Sequence, residues 1–171
     1  MKKLFLVLLT TFASSCCNKD EDKTPLEQLP PATQTGAGTF GCLVNGLPYV
    51  DNSGNFNCFY QLINGQYYFS ISANFNKVIK GIGLGSQEIE LSEGNIYQLI
   101  ETNSGNFSAD IYIDANNNFE TSSISPGNII IKKLDFLNNI VSANFEFTVT
   151  EPNTGKIYNI TNGRFDALFT K

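Results

Sequence analysis

The distribution of apolar residues along the chain changes character twice. Residues 4–12 form a run of leucine, phenylalanine and valine broken by Thr10 and Thr11. Residues 18–38 carry scattered charges, three prolines and two glycines with little apolar content. From Thr39 onward, apolar and polar residues alternate with a period of two, the pattern of strands with one face buried. Asn-Gly and Pro-Gly pairs punctuate the alternation and mark turns.

In the first alternating segment Phe40, Cys42 and Val44 share a face, which closes at Asn45-Gly46. Phe56, Cys58, Tyr60 and Leu62 line the next, up to Asn64-Gly65, and Tyr67, Phe69, Ile71, Ala73 and Phe75 line its successor. A two-residue type I′ turn at Asn64-Gly65 predicts the pairs Ile63–Gln66, Leu62–Tyr67, Tyr60–Phe69 and Cys58–Ile71. Both apolar sets then fall on one side, whereas a one-residue slip would separate them.

A second hairpin is predicted from residues 96–101 to 107–114 across Thr102-Asn103-Ser104-Gly105, with Phe107, Ala109, Ile111 and Ile113 inward. Residues 129–136 form a strand, and Val141, Ala143, Phe145, Phe147 and Val149 give the inward face of the next. A tight Asn138-Asn139 turn sets Ile130, Leu134 and Phe136 against that face. It also turns Lys132 inward, so a bulge or a longer loop is expected there. In the last stretch Tyr158 and Ile160 have one parity and Phe165, Ala167 and Phe169 the other, which a bulge at Asn162-Gly163 reconciles. The expectation is one all-β domain over residues 39–171, an antiparallel β-sandwich or partly closed barrel of about 8–10 strands.

Composition narrows the chemistry. The chain of 171 residues contains no histidine, so Ser-His-Asp and Cys-His hydrolase arrangements and histidine-bearing zinc sites are excluded. Its formal charge of −5 argues against nucleic acid and against peripheral adsorption to anionic lipid.

Four sets of residues invite a chemical reading. Gly81-Ile82-Gly83-Leu84-Gly85-Ser86 has spaced glycines but precedes no helical pattern, so it reads as a strand whose glycines allow close backbone approach and not as a phosphate loop. Asp114-Ala115-Asn116-Asn117-Asn118-Phe119-Glu120 has alternating oxygen ligands, yet Phe119 stands at the glycine position of a calcium loop and Ser125 at the acidic one. It reads as a polar loop, and no metal or cofactor is expected. Asp110 and Asp114 share a strand face in a spacing that any strand produces, so no catalytic residues are assigned. Cys42 and Cys58 both face inward, as a disulfide between neighbouring strands or as two buried thiols.

The N-terminus has the layout of an export signal: Lys2 and Lys3, a short apolar run, then small residues. The run is too short to span a bilayer, which takes about 20 residues. Ala13-Ser14-Ser15-Cys16 resembles the lipobox of bacterial lipoproteins, with Ala13 where leucine is usual. The resemblance implies a signal peptide over residues 1–15 and acylation (palmitate or a similar chain) of Cys16, with Cys17 as second choice. Asn18-Lys19-Asp20-Glu21-Asp22 resembles the acidic export signal of Bacteroidetes surface lipoproteins. Gly38-Thr39-Phe40-Gly41-Cys42-Leu43-Val44-Asn45-Gly46, residues 140–147 and Ile160-Thr161-Asn162-Gly163-Arg164-Phe165-Asp166 are similar to a group of Bacteroidetes lipoproteins of unknown function. That group implies a small all-β domain on a lipid anchor and brings no functional residues.

The function expected is a lipid-anchored protein of the outer membrane, displayed at the cell surface (the periplasmic face being the alternative), serving as a non-enzymatic binding or structural module. The partner is the membrane through the anchor, with a protein or glycan besides. A small apolar-ligand carrier with a barrel cavity and a carboxylate-dependent glycan hydrolase are the alternatives. Residues 16–38 are expected to be a disordered linker. Extended, residues 18–38 reach roughly 70 Å; as a coil they average about 25 Å.

Overall fold

The computed structural model describes residues 23–53, 57–74 and 78–171. The signal, Cys16, Cys17 and the acidic run at 18–22 lie outside the described residues, as do Phe56 and Phe75.

The described chain is all β. Its strands are β1 (Thr39–Val44), β2 (Leu47–Val50), β3 (Asn57–Ile63), β4 (Gln66–Asn74), β5 (Gly81–Gln87), β6 (Ile96–Leu99), β7 (Phe107–Asp114), β8 (Asn117–Glu120), β9 (Gly127–Asp135), β10 (Ile140–Thr150) and β11 (Ile157–Leu168). They form a single sheet in the order β2-β1-β11-β10-β9-β6-β7-β5-β4-β3, with β8 paired to β7. The sheet is curled and open, and its two ends are joined at separate points. The Tyr60 N–H donates to the Thr170 carbonyl (2.9 Å) and the Thr170 N–H to the Cys58 carbonyl (3.0 Å), fastening β3 to the chain end beyond β11. The Tyr49 hydroxyl on β2 donates to the Ala73 carbonyl on β4 at 3.0 Å. This is the partly closed barrel of the expected class. Its additional strand, β2, escapes the alternation rule because Tyr49 is its one buried residue and Pro48 suits an edge.

Curling turns one face of the sheet onto itself, and aromatic rings fill the interior. Phe165 of β11 lies 6.4 Å from Phe40, 6.4 Å from Phe145 and 6.1 Å from Phe69 on the opposite wall. Phe69 continues to Phe107 at 5.7 Å. Each such ring, fully buried, contributes about 1.5–3 kcal/mol.

The β3–β4 hairpin has the predicted register throughout, with Asn64 (φ 52°) and Gly65 (φ 82°) both left-handed as a type I′ turn requires. The Asn162 bulge is also present: β11 slips against β10 between the Phe145–Gly163 and Phe147–Ile160 pairs, which turns Tyr158, Ile160, Phe165 and Ala167 all inward.

Three expectations need correction. Residues 96–101 and 107–114 do not form a hairpin. β6 pairs antiparallel with β9 and meets β7 through one parallel pair, Leu99–Phe107. The stronger partner of β7 is β5, and their ladder extends into the connecting loop, where the Gly105 N–H donates to the Gln87 carbonyl (2.9 Å). On β9, Ile129 and Ile131 face the core in place of Ile130. The bulge does fall at Lys132, between the Ser142–Lys133 and Ala143–Ile131 pairs, and restores Leu134 to the inner side.

The third correction concerns the linker, whose described part is structured. Residues 23–38 lie along the outer face of β1 and β11, because the Asp166 carboxylate there offers acceptors to the threonine hydroxyls and backbone N–H groups of residues 33–37, a segment without a core of its own. Thr24 opens a turn in which its N–H and hydroxyl donate to Glu27 (2.8 and 2.7 Å). Leu29 is buried, and the Arg164 guanidinium donates to the Pro30 carbonyl at 2.5 Å. A Cβ on Gly41 would stand 2.5 Å from the Pro30 ring, so glycine is what lets the segment settle on β1.

Candidate functional site

The outer face over β4, β5 and β7 carries a trough whose shape follows from one strand. β5 puts Ile82, Leu84 and Ser86 into the interior, which leaves Gly81, Gly83 and Gly85 on the outside. Three absent side chains on a central strand leave a depression. Ser70, Ser72 and Asn74 of β4 border it on one side, and Ser108, Asp110 and Tyr112 of β7 on the other. Its volume is about 320 Å³. Past Gly85 it continues into a second depression of about 430 Å³ bounded by Phe59, Tyr68, Gln87, Thr102 and Asn106. The glycines at 81–85 therefore do belong to a strand and permit close approach, here of a side chain: a Cβ on Gly83 would lie 2.5 Å from Asp110 Oδ1.

Asp110 is the charged group of the trough. It does not face Asp114, the partner its sequence position suggested. β8 folds back on β7 and places Glu120 directly opposite Asp110. The Asn118 amide nitrogen, turned toward the strand, stands 3.0 Å from both Asp110 Oδ2 and the Ile111 carbonyl. Burial, with the neighbouring Glu120 charge adding to it, raises the Asp110 carboxyl above its ordinary value. Glu120 itself accepts from the Thr102 hydroxyl at 2.9 Å, which also lies 2.9 Å from the Ser108 oxygen.

Because the folded-state value of Asp110 is raised, its ionised form costs stability above that value, and the cost disappears as pH falls below the unfolded value. Asp110→Asn is therefore expected to raise the melting temperature at pH 7. The gain should vanish near pH 3. An unchanged melting temperature at pH 7 would show that the ionised carboxylate costs nothing, and a lowered one that it stabilises.

The other sequence candidates fall elsewhere. Asp114 closes its own loop, accepting from the Asn116 N–H (2.9 Å) and from the Asn117 amide (2.9 and 3.0 Å). Those donors hold its carboxyl below the ordinary range, and they occupy oxygens that a cation would need. Cys42 and Cys58 are free and buried, so of the two readings the structure has the thiols. Desolvation pushes Cys42 up, and Cys58 up to about 12, far from the thiolate a nucleophile requires.

The serines of β4 were not singled out by sequence, and Glu120 entered only as the end of the calcium-like loop, not as the partner of Asp110. The signal for the serines was present, since Ser70 and Ser72 have outward parity beside the β5 glycines. The position of Glu120 depends on how β8 returns past Asn116, which no local pattern fixes. No protein-family model, curated protein or solved structure matches the chain.

Proposed function

We propose that this is a lipoprotein of the outer membrane, held by acyl chains on Cys16 and displayed at the cell surface. Its β domain is a non-catalytic binding module that receives an extended, neutral, polar chain such as a glycan strand along the trough. The observation that carries this reading is the trough itself, floored by Gly81, Gly83 and Gly85. Its backbone floor admits a ligand closely, the hydroxyls of Ser70, Ser72 and Ser108 supply donors and acceptors, and Asp110 is an acceptor suited to sugar hydroxyls. Phe59 and Tyr68 lie toward one end and Tyr112 at the other, rings on which apolar sugar faces can rest. The interior, packed with Phe40, Phe69, Phe107, Phe145 and Phe165, supports a surface binder over a carrier.

The Asp110–Glu120 pair gives the hydrolase reading its support, since two neighbouring carboxyls of unequal environment are what glycoside cleavage uses. The trough, however, lies on the outside of one sheet. A ligand there remains solvated on its far side, which suits recognition better than bond cleavage.

The test is a screen of the protein against an array of neutral oligosaccharides, with a reducing-end assay on every ligand retained. Gly83→Val fills the floor and displaces Asp110 with a residue strands favour. It is expected to weaken binding at least tenfold, on the order of 1.4 kcal/mol, without loss of the folded state. Undiminished binding by Gly83→Val removes the trough from the account, and release of reducing ends favours the hydrolase.

A further inference from the structure

The segment between the anchor and the sheet ends on one buried carboxylate. Asp166, on the outward side of β11, is 1% exposed. Its oxygens accept from the Thr33 hydroxyl (2.6 Å), the Thr35 N–H (2.8 Å), the Thr35 hydroxyl (3.2 Å), the Gly36 N–H (2.7 Å) and the Ala37 N–H (3.2 Å). Every one of these donors belongs to residues 33–37. Charge-assisted bonds of this kind are roughly twice as strong as neutral ones, and Arg164 adds its bond to the Pro30 carbonyl. Such a convergence on one group is a clasp, and a disordered tether needs none.

We propose that the Asp166 clasp holds the β1–β11 side of the domain toward the membrane and turns the trough away from it; the inference rests on the Cys16 anchor. Chain length sets the distance. With residues 23–38 fastened to the sheet, residues 16–22 alone join lipid to domain and span at most ~25 Å. With the clasp open, the span approaches the ~70 Å of the free segment. Topology sets the direction. β11 is third and β5 eighth along a curled sheet whose ends meet, so their outer faces point to opposite sides. The clasp side is therefore the membrane side, and the glycine floor of β5 faces outward, where a ligand arrives.

The chain contains no tryptophan, so single tryptophans serve as reporters. Leu43→Trp reports the outer side of β1 and Tyr112→Trp the trough. The acylated full-length protein is placed on phosphatidylcholine vesicles containing a dansyl-labelled lipid, and energy transfer to the dye is measured. Transfer from position 43 should exceed that from position 112 several-fold, and Asp166→Ala should remove the difference. In solution, Asp166→Ala should also speed elastase cleavage after Ala37, whose N–H the carboxylate holds, at least tenfold. Thr33→Val combined with Thr35→Val changes the segment alone and should act in the same direction if Asp166→Ala does not fold. Equal transfer from the two reporters in the parent protein, or unchanged cleavage after Ala37 in both variants, overturns the proposal. A failed anchor looks different: the protein gains no acyl label and stays off the vesicles, which overturns the orientation, while cleavage after Ala37 still reports the clasp.

Discussion

Phe165→Ala should lower the free energy of unfolding by about 3–5 kcal/mol, the range for removing a buried phenylalanine ring. The ring is 3% exposed and contacts Phe40 and Phe145 on its own side of the barrel and Phe69 across the interior. It is thus one of the pieces through which the β1–β11–β10 wall and the β3–β4–β5 wall are stabilised by each other. Collapse of the surroundings into the vacated space is hindered, because the hydrogen bonds at Thr170 and Tyr49 fix the distance between the walls. The loss should therefore lie toward the upper end of the range. Urea unfolding followed by tyrosine fluorescence measures it. A shift below about 1 kcal/mol would mean that the walls do not depend on this ring.

Cys16→Ala should reduce incorporation of radiolabelled palmitate to background and block removal of residues 1–15, whereas Cys17→Ala should leave both intact. One acyl chain gives marginal, reversible attachment, and two or more hold firmly. On the proposed anchoring the thiol at position 16 carries the attachment, so the expected effect is all or none. Full labelling of Cys16→Ala with loss of label in Cys17→Ala would move the anchor one residue along. Full labelling of both would remove it.

What the sequence made legible follows the range of the interactions involved. The β3–β4 register could be read because the Asn64-Gly65 turn and the apolar parity are local and agree. The Asn162 bulge could be read because Tyr158 and Phe165 have opposite parity yet both must be buried. The parallel contact of β6 and β7 could not, since it depends on β5 capturing β7 from more than twenty residues upstream. The segment over residues 23–38 was misread for a related reason. Its composition offers no core of its own, and its order comes from Asp166, some 130 residues further along the chain. The trough was half visible. Spaced glycines on a strand predicted close approach, but what approaches Gly83 is set by the pairing of β5 with β7, and Glu120 enters only when β8 folds back.

Both the surface display and the orientation of the trough require a domain fixed to lipid at one residue. Intact-mass measurement of the mature protein extracted from membranes tests this most directly. The account predicts a chain beginning at Cys16 and heavier than its amino acids by a diacylglyceryl group, with or without a further acyl chain on the new amino end. An unacylated chain, or one that begins at any other residue, would contradict it.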